Sequence, residues 1–176
     1  MSFATASVHA LATAQATVAT PMGPLLLART DKGLAGAWFE GQKDHPGALA
    51  APVRPDDELL QATAAQLAGY FSGQRQHFDL PLDLHGTPFQ RSVWQALLRI
   101  ASGQTQSYGD IARAVGSVKA VRAVGAAVGR NPISVIVPCH RVMGSDGSLT
   151  GYAGGLDRKR ALLSLEGVAA CRKARC

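Results

Sequence analysis

The sequence predicts an α+β protein in two parts. The first, over residues 1–84, is a small N-terminal domain of antiparallel sheet plus helix. The second, over residues 89–168, is a mainly helical, winged-helix-like C-terminal domain with a helix-turn-helix. Three observations predict this. Short apolar runs parted by turn signals fill the first forty residues. Capped segments with helical spacing dominate after residue 87. Two short helical segments there are separated by a tight glycine turn. Residues 85–88 read as a linker and residues 169–176 as a basic tail.

The elements follow in order. The Ala/Thr-rich first 14 residues or so are expected to be disordered. Ala16–Thr20 and Leu25–Arg29 flank the turn signal Pro21-Met22-Gly23-Pro24, and Leu34–Phe39 follows Asp31-Lys32-Gly33, so an antiparallel meander is expected. Gly41–Pro55 reads as loop. Asp56–Phe71 carries Leu59, Leu60, Leu67 and Phe71 at helical spacing and is stopped by Gly73. His77–Leu84 reads as a last strand. Thr87-Pro88 caps a helix that runs to about Ile100, with Val93, Leu97 and Ile100 on one face. A short helix over Gly109–Val115 ends at Gly116, and Ser117 caps another over Val118–Val128. On that last helix Val121, Val124 and Val128 share one side. Lys119, Arg122, Ala126 and Arg130 share the other, with small residues such as Ala123 between them. A cationic face almost without bulk can approach a duplex backbone closely, with Arg122 as the one large side chain able to enter a base stack. A solvated amphipathic helix has the same pattern.

Composition narrows the function classes. Of the 176 residues, 47% are hydrophobic and 17% charged, so a true core is expected. No run reaches the roughly 18 to 20 apolar residues that span a bilayer, and no secretory signal is read at the N-terminus. A reducing, cytoplasmic setting follows. The three cysteines, Cys139, Cys171 and Cys176, are too few and too badly spaced for a disulfide framework. The net charge of +6 and a pI near 9.7 favour a polyanionic partner. No dinucleotide fingerprint, P-loop or metal-ligand cluster is present, so no cofactor and no metal are expected.

The chemistry concentrates in NPISVIVPCHRV. Ile133–Val137 reads as a buried strand ending in Pro138-Cys139-His140-Arg141. A buried thiol is ordinarily inert. His140, however, is a base able to draw off its proton, and Glu166 sits near the end of a helix that begins about Leu156 and stops at Gly167. A carboxylate at a helix C-terminus is mildly disfavoured, which fits one kept for a partner such as His140. Neighbours in extended chain point to opposite faces, so the relay read here is Cys139, water, His140, Glu166.

VPCHRV with the preceding GRNPISVI, SYGDIA, KAVRAVGAAVGRNP, GYAGG and LLSLEG together resemble the methylated-DNA–protein-cysteine methyltransferases, the O6-alkylguanine-DNA alkyltransferases. The resemblance covers Thr87 to Gly167 almost continuously, and TPMGPLLL and GTPFQ extend it more loosely. It implies that Cys139 is the acceptor thiolate with His140 and Glu166 as its relay. Asn131 bridges the segments around the active-site turn, and Tyr108 donates a proton to the departing guanine. Arg122 replaces the flipped base, on a helix entering the minor groove beside Lys119, Ala123, Ala126 and Arg130. The backbone of Val142 accepts the exocyclic amine, while Tyr152, Ala153, Gly154 and Ser134 line the pocket. Some members carry serine where this chain has Ala153. The N-terminal half has no cysteine and so cannot hold a thiolate-ligated zinc. The expected activity is repair of O6-alkylguanine, with O4-alkylthymine left open, in double-stranded DNA by a monomer. One alkyl group is taken per molecule, because a thioether is a poor leaving group. A DNA-binding module with an inert Cys139 and a cysteine hydrolase remain the alternatives.

Overall fold

The computed structural model describes residues 2–168, so the basic tail with Cys171 and Cys176 lies outside the described residues. The chain forms two compact units. One takes the residues up to Gly86 together with Pro132–Ile136. The other takes Thr87–Asn131 and resumes at Val137.

The first unit is built on an antiparallel meander of β1 (Ala14–Val18), β2 (Leu25–Thr30) and β3 (Gly33–Phe39). Every residue of β3 is buried, so the strand is covered on both faces. Gly36 has no side chain because a Cβ there would lie 1.8 Å from the Trp38 ring, which folds back across it. Helix α2 (Glu58–Phe71) packs on the sheet through Leu60, Thr63, Leu67 and Tyr70. Its cap Asp57 accepts from Leu60 N and pairs with Arg29.

Two expectations fail in this unit. The first residues are not disordered: Phe3–Leu11 forms helix α1, capped by the Ser2 hydroxyl. Val8 fills a cluster with Ala28, Ala35 and Trp38, and His9 Nε2 donates to the Pro46 carbonyl at 2.7 Å. Burying Val8 is worth about 1.5 kcal/mol or more, which a weakly patterned Ala/Thr segment conceals. The strand expected over His77–Leu84 is reduced to one bridge, Leu34 to Leu82, because Pro81 contributes a carbonyl and no N–H. Beside it, Asp83 accepts from the Thr30 hydroxyl (2.5 Å) and from His85 Nε2 (2.7 Å).

Pro132–Ile136 is the insertion from later in the chain. It is buried, as expected, but it is not a strand. It makes a single bridge, Ala37 to Ile133, through Ala37 N to Pro132 O and Ser134 N to Ala37 O, both 2.9 Å. Ile136 N then bonds back to Ser134 O at 2.9 Å across Val135, whose φ is 71°. That is a γ-turn of the positive-φ kind, costing of order 1–3 kcal/mol for a β-branched residue.

The second unit is helical. Thr87 caps α3 (Pro88–Leu97) with Pro88 in the first turn, as the sequence predicts, and Gln90 completes a capping box with it that the sequence reading did not include. Trp94 is fully buried and its Nε1 donates to the Ala127 carbonyl at 2.8 Å, tying α3 to α5. Helix α4 (Tyr108–Ala114) begins at a second capping box, Ser107 with Asp110. It ends in a Schellman turn at Gly116, φ 71°, with Ser117 N on Ala112 O. Helix α5 (Val121–Gly129) starts three residues later than predicted. Ser117 closes a turn onto Ala120 N instead of capping, and Val121 faces outward while Ala127 joins Val124 and Val128 inside. A two-residue parallel pair, β4 (Gln106–Ser107) with β5 (Val142–Met143), and helix α6 (Leu156–Leu165) complete the unit. No described helix is long and apolar enough to cross a membrane.

Candidate active site

The site forms where the chain re-enters the second unit. Pro138, at φ −83° and ψ 61°, makes an inverse γ-turn that brings Cys139 N onto Val137 O at 2.8 Å. Cys139–Arg141 then winds as one turn of 3-10 helix. The extended geometry expected for Cys139 and His140 is replaced by this turn, so the two side chains need not face opposite ways.

Asn131 spans the entry and exit of the inserted segment. Its Nδ2 donates to the Val137 carbonyl (2.8 Å) and to Cys139 Sγ (3.1 Å). The thiol is 5% exposed. Burial pushes its pKa up. The Asn131 amide, the Lys159 ammonium and the backbone N–H groups of Cys139 and His140 pull in the opposite direction, and the net displacement is upward. The sulfur therefore keeps its proton at neutral pH, and the acceptor thiolate implied by the resemblance has to be generated by a base.

His140 is fully buried, and its Nε2 donates to Glu166 Oε1 at 2.8 Å. Its Nδ1 has no protein partner among the described residues. Burial lowers the imidazole pKa more than Glu166 raises it, so the ring is neutral at neutral pH. A neutral ring with one nitrogen held by a carboxylate and the other open is a base ready to accept a proton. Glu166 sits at the C-cap of α6, locked by a Schellman turn at Gly167.

Two residues escaped the sequence reading. Arg141, nearly buried, makes a fork on Glu166 (Nε to Oε2 3.0 Å, Nη2 to Oε1 2.8 Å) and donates to the Ile100 carbonyl at 2.6 Å. It compensates the carboxylate helix dipoles disfavour. Lys159 is 0% exposed, and its Nζ reaches the carbonyls of Val142 (2.5 Å), Thr150 (2.7 Å) and Gly151 (3.4 Å). Burial lowers its pKa to about 8, with the thiol opposing. A signal existed: Lys159 shares a face of α6 with the buried Leu162 and Leu163 and with Glu166, at helical spacing.

Of the pocket residues, Val142 is buried in β5, and Tyr152 and Ala153 are half-buried with Gly154 buried in the loop before α6. Tyr108 opens α4, bonds Thr150 Oγ1 through its hydroxyl at 3.4 Å and lies against Gly125 of α5. Ser134 is buried in the first unit, where its hydroxyl donates to Gln42 Oε1 at 3.1 Å. Lys119, Arg122, Ala123, Ala126 and Arg130 are all exposed on or beside α5. Among the described residues no three His, Cys, Asp or Glu side chains group as a metal site.

Two family models account for nearly the whole chain. "6-O-methylguanine DNA methyltransferase, ribonuclease-like domain" matches residues 14–84, and the corresponding "DNA binding domain" matches residues 88–168. The chain belongs to the methylated-DNA–protein-cysteine methyltransferase family. The enzyme of that name from Mycobacterium bovis is 49% identical over 150 residues, covering 85% of this chain and 90% of its own. That from Methanosarcina barkeri is also 49% identical, with 94% of its length covered. The crystal structure of Mycobacterium tuberculosis OGT in complex with DNA superposes with a TM-score of 0.80 at 46% identity, over 89% of this chain and 96% of that one. As a methyltransferase of this family, the protein is an α+β enzyme whose second unit corresponds to the DNA-binding domain.

Proposed function

We propose that this methyltransferase repairs double-stranded DNA by taking the alkyl group from O6-alkylguanine onto Cys139, once per molecule. The exposed cations flanking α5, Lys119 and Arg130, hold the phosphate backbone from the minor groove, and Arg122 fills the gap left by the flipped base. Extrusion costs roughly a few kcal/mol, which the Arg122 wedge offsets in part. The base lies in the loop between Val142 and α6, with the Val142 carbonyl on its exocyclic amine and Tyr152, Ala153 and Gly154 around it.

The thiol proton passes by way of a water to His140 Nδ1, and Glu166 stabilises the imidazolium. Sulfur attacks the alkyl carbon, the carbon–O6 bond breaks, and its electron pair passes to the guanine. Tyr108 protonates the ring and recovers its proton from the relay, so the thiol hydrogen ends on a ring nitrogen of the guanine, whose O6 is left as a carbonyl. No co-reactant is needed. The thioether product has no acidic proton and does not leave, which ends the cycle. Reaction of O4-alkylthymine in the same pocket is part of the proposal, as are a monomeric state and a reducing cytoplasmic setting that keeps Cys139 a free thiol.

The observation that carries this reading is the pair of bonds Asn131–Cys139 and His140–Glu166, with a buried sulfur and a buried imidazole nitrogen that has no protein partner on consecutive residues. Radiolabelled methyl groups in duplex DNA test it. Label should move to the protein, stopping at one per molecule, and Cys139→Ala should abolish transfer while DNA binding persists. Binding without any transfer would leave only a DNA-binding module. Label released repeatedly would point to a hydrolase.

A further inference from the structure

We infer that Gln42 is a positioning residue for the reacting thiol, acting through the Ser134 hydroxyl and the Val135 γ-turn that leads the chain to Cys139. The inference rests on the reading of Cys139 as acceptor.

Gln42 is a buried polar residue just after β3, far from the cysteine motif in sequence. Its Oε1 accepts two hydrogen bonds, from Phe39 N at 2.7 Å and from the Ser134 hydroxyl at 3.1 Å. The first fixes the side chain on the end of β3. The second hands that fixed point to Pro132–Ile136. Ala37, within β3 itself, holds the same segment through Pro132 O and Ser134 N. Ser134 is therefore pinned by both backbone and side chain, immediately before the strained residue.

Strain of this kind persists only where surrounding contacts over-determine it. Val135 is 1% exposed and β-branched, and left to itself would relax out of positive φ. Relaxation would turn the Val135–Ile136 peptide, and Val137, Pro138 and Cys139 follow directly. Of these, Pro138 has little freedom of its own, because its ring fixes φ. Asn131 Nδ2 holds the Val137 carbonyl and Cys139 Sγ beyond it, so only the torsions of Ile136 and Val137 remain between the Val135 turn and the held thiol. An in-line displacement tolerates little misdirection, so loosening the pin lowers the rate of transfer rather than the affinity for DNA.

The test measures single-turnover transfer from a methylated oligonucleotide to full-length Gln42→Leu, Ser134→Ala and the double variant, separating rate constant from burst amplitude. Iodoacetamide alkylation of Cys139, followed by peptide mass spectrometry across pH, provides a readout without DNA. Each single variant should lose about tenfold or more in rate constant with its amplitude and DNA affinity kept, and the double variant should be no worse than either single. Val135→Gly, which suits positive φ, should restore much of the rate in the Gln42→Leu background. The alkylation profile of Cys139 should shift in both singles. A fall in amplitude alone, with the rate constant and alkylation profile unmoved, would reduce Gln42 to a packing residue and overturn the inference. Ser134→Ala removes one hydroxyl only and keeps the test open should Gln42→Leu fail to fold. If the unmodified protein takes no label, the proposed activity fails instead, whereas a shifted alkylation profile still reports on the pin.

Discussion

Two sets of cations in the second unit behave in opposite ways. Arg141 and Lys159 are buried: Arg141 is held by the Ile100 carbonyl and forked on Glu166, and Lys159 by the carbonyls of Val142 and Thr150. Lys119, Arg122 and Arg130 are exposed on or beside α5, and none of them is ion-paired with a carboxylate among the described residues. The same charge serves different ends because desolvation separates them. A buried cation is costly unless its surroundings are built for it, so it organises those surroundings. An exposed cation costs little and stays available to a polyanion. Charge counted along the chain reports their sum and says nothing of this division.

The division can be tested from its most costly member downward. Glu166→Gln strips Arg141 of its carboxylate in a buried setting. The variant should lose about 3–5 kcal/mol in urea unfolding, and a loss below about 1 kcal/mol would mean that Arg141 is not effectively buried. Lys159 comes next. In the folded protein it gives up its proton at about 8, against 10.5 in the unfolded chain, so between those values the unfolded chain holds more protons. Stability should therefore rise with pH across that window, by up to about 3 kcal/mol, while below about 8 the burial penalty is felt in full. Urea midpoints of Cys139→Ser, with and without Lys159→Met, isolate the effect: the rise should vanish with the amine.

The exposed set should leave stability untouched, within about 0.5 kcal/mol. Arg122→Ala should slow repair of duplex DNA by about tenfold, near 1.4 kcal/mol, while reaction with a free base analogue changes less than twofold. Equal losses on both substrates would remove the wedge role. The smallest effect belongs to Lys119→Ala and Arg130→Ala. Each should flatten the plot of log binding constant against log salt by about one, and an unchanged slope would take that residue off the phosphate backbone.

Much of the site was legible in sequence because its signals are local. Thr87-Pro88, Ser107 with Asp110, and Gly116 set helix boundaries through bonds three to five residues long. Cys139, His140 and Glu166 announced themselves by chemistry, since a thiol, a base and a misplaced carboxylate are unusual company. What stayed hidden depends on distant contacts. Helix α1 exists because Val8 finds Trp38, and α5 begins late because Ser117 spends its carbonyl on Ala120. Ser134 belongs to the first unit because Gln42 and Ala37 take hold of it.

By itself, the order of residues determined which residues are candidates for the reacting group and its base, the caps of α3 and α4, and the cationic side of α5. Each follows from side-chain chemistry or helical spacing within a few neighbours. Tertiary structure alone decided that Pro132–Ile136 leaves the second unit to join β3. It also decided that Cys139 rides a 3-10 turn instead of a strand end, and that Arg141 and Lys159 turn inward. Those outcomes hang on burial, and burial is a property of which distant segments meet, to which local spacing is blind.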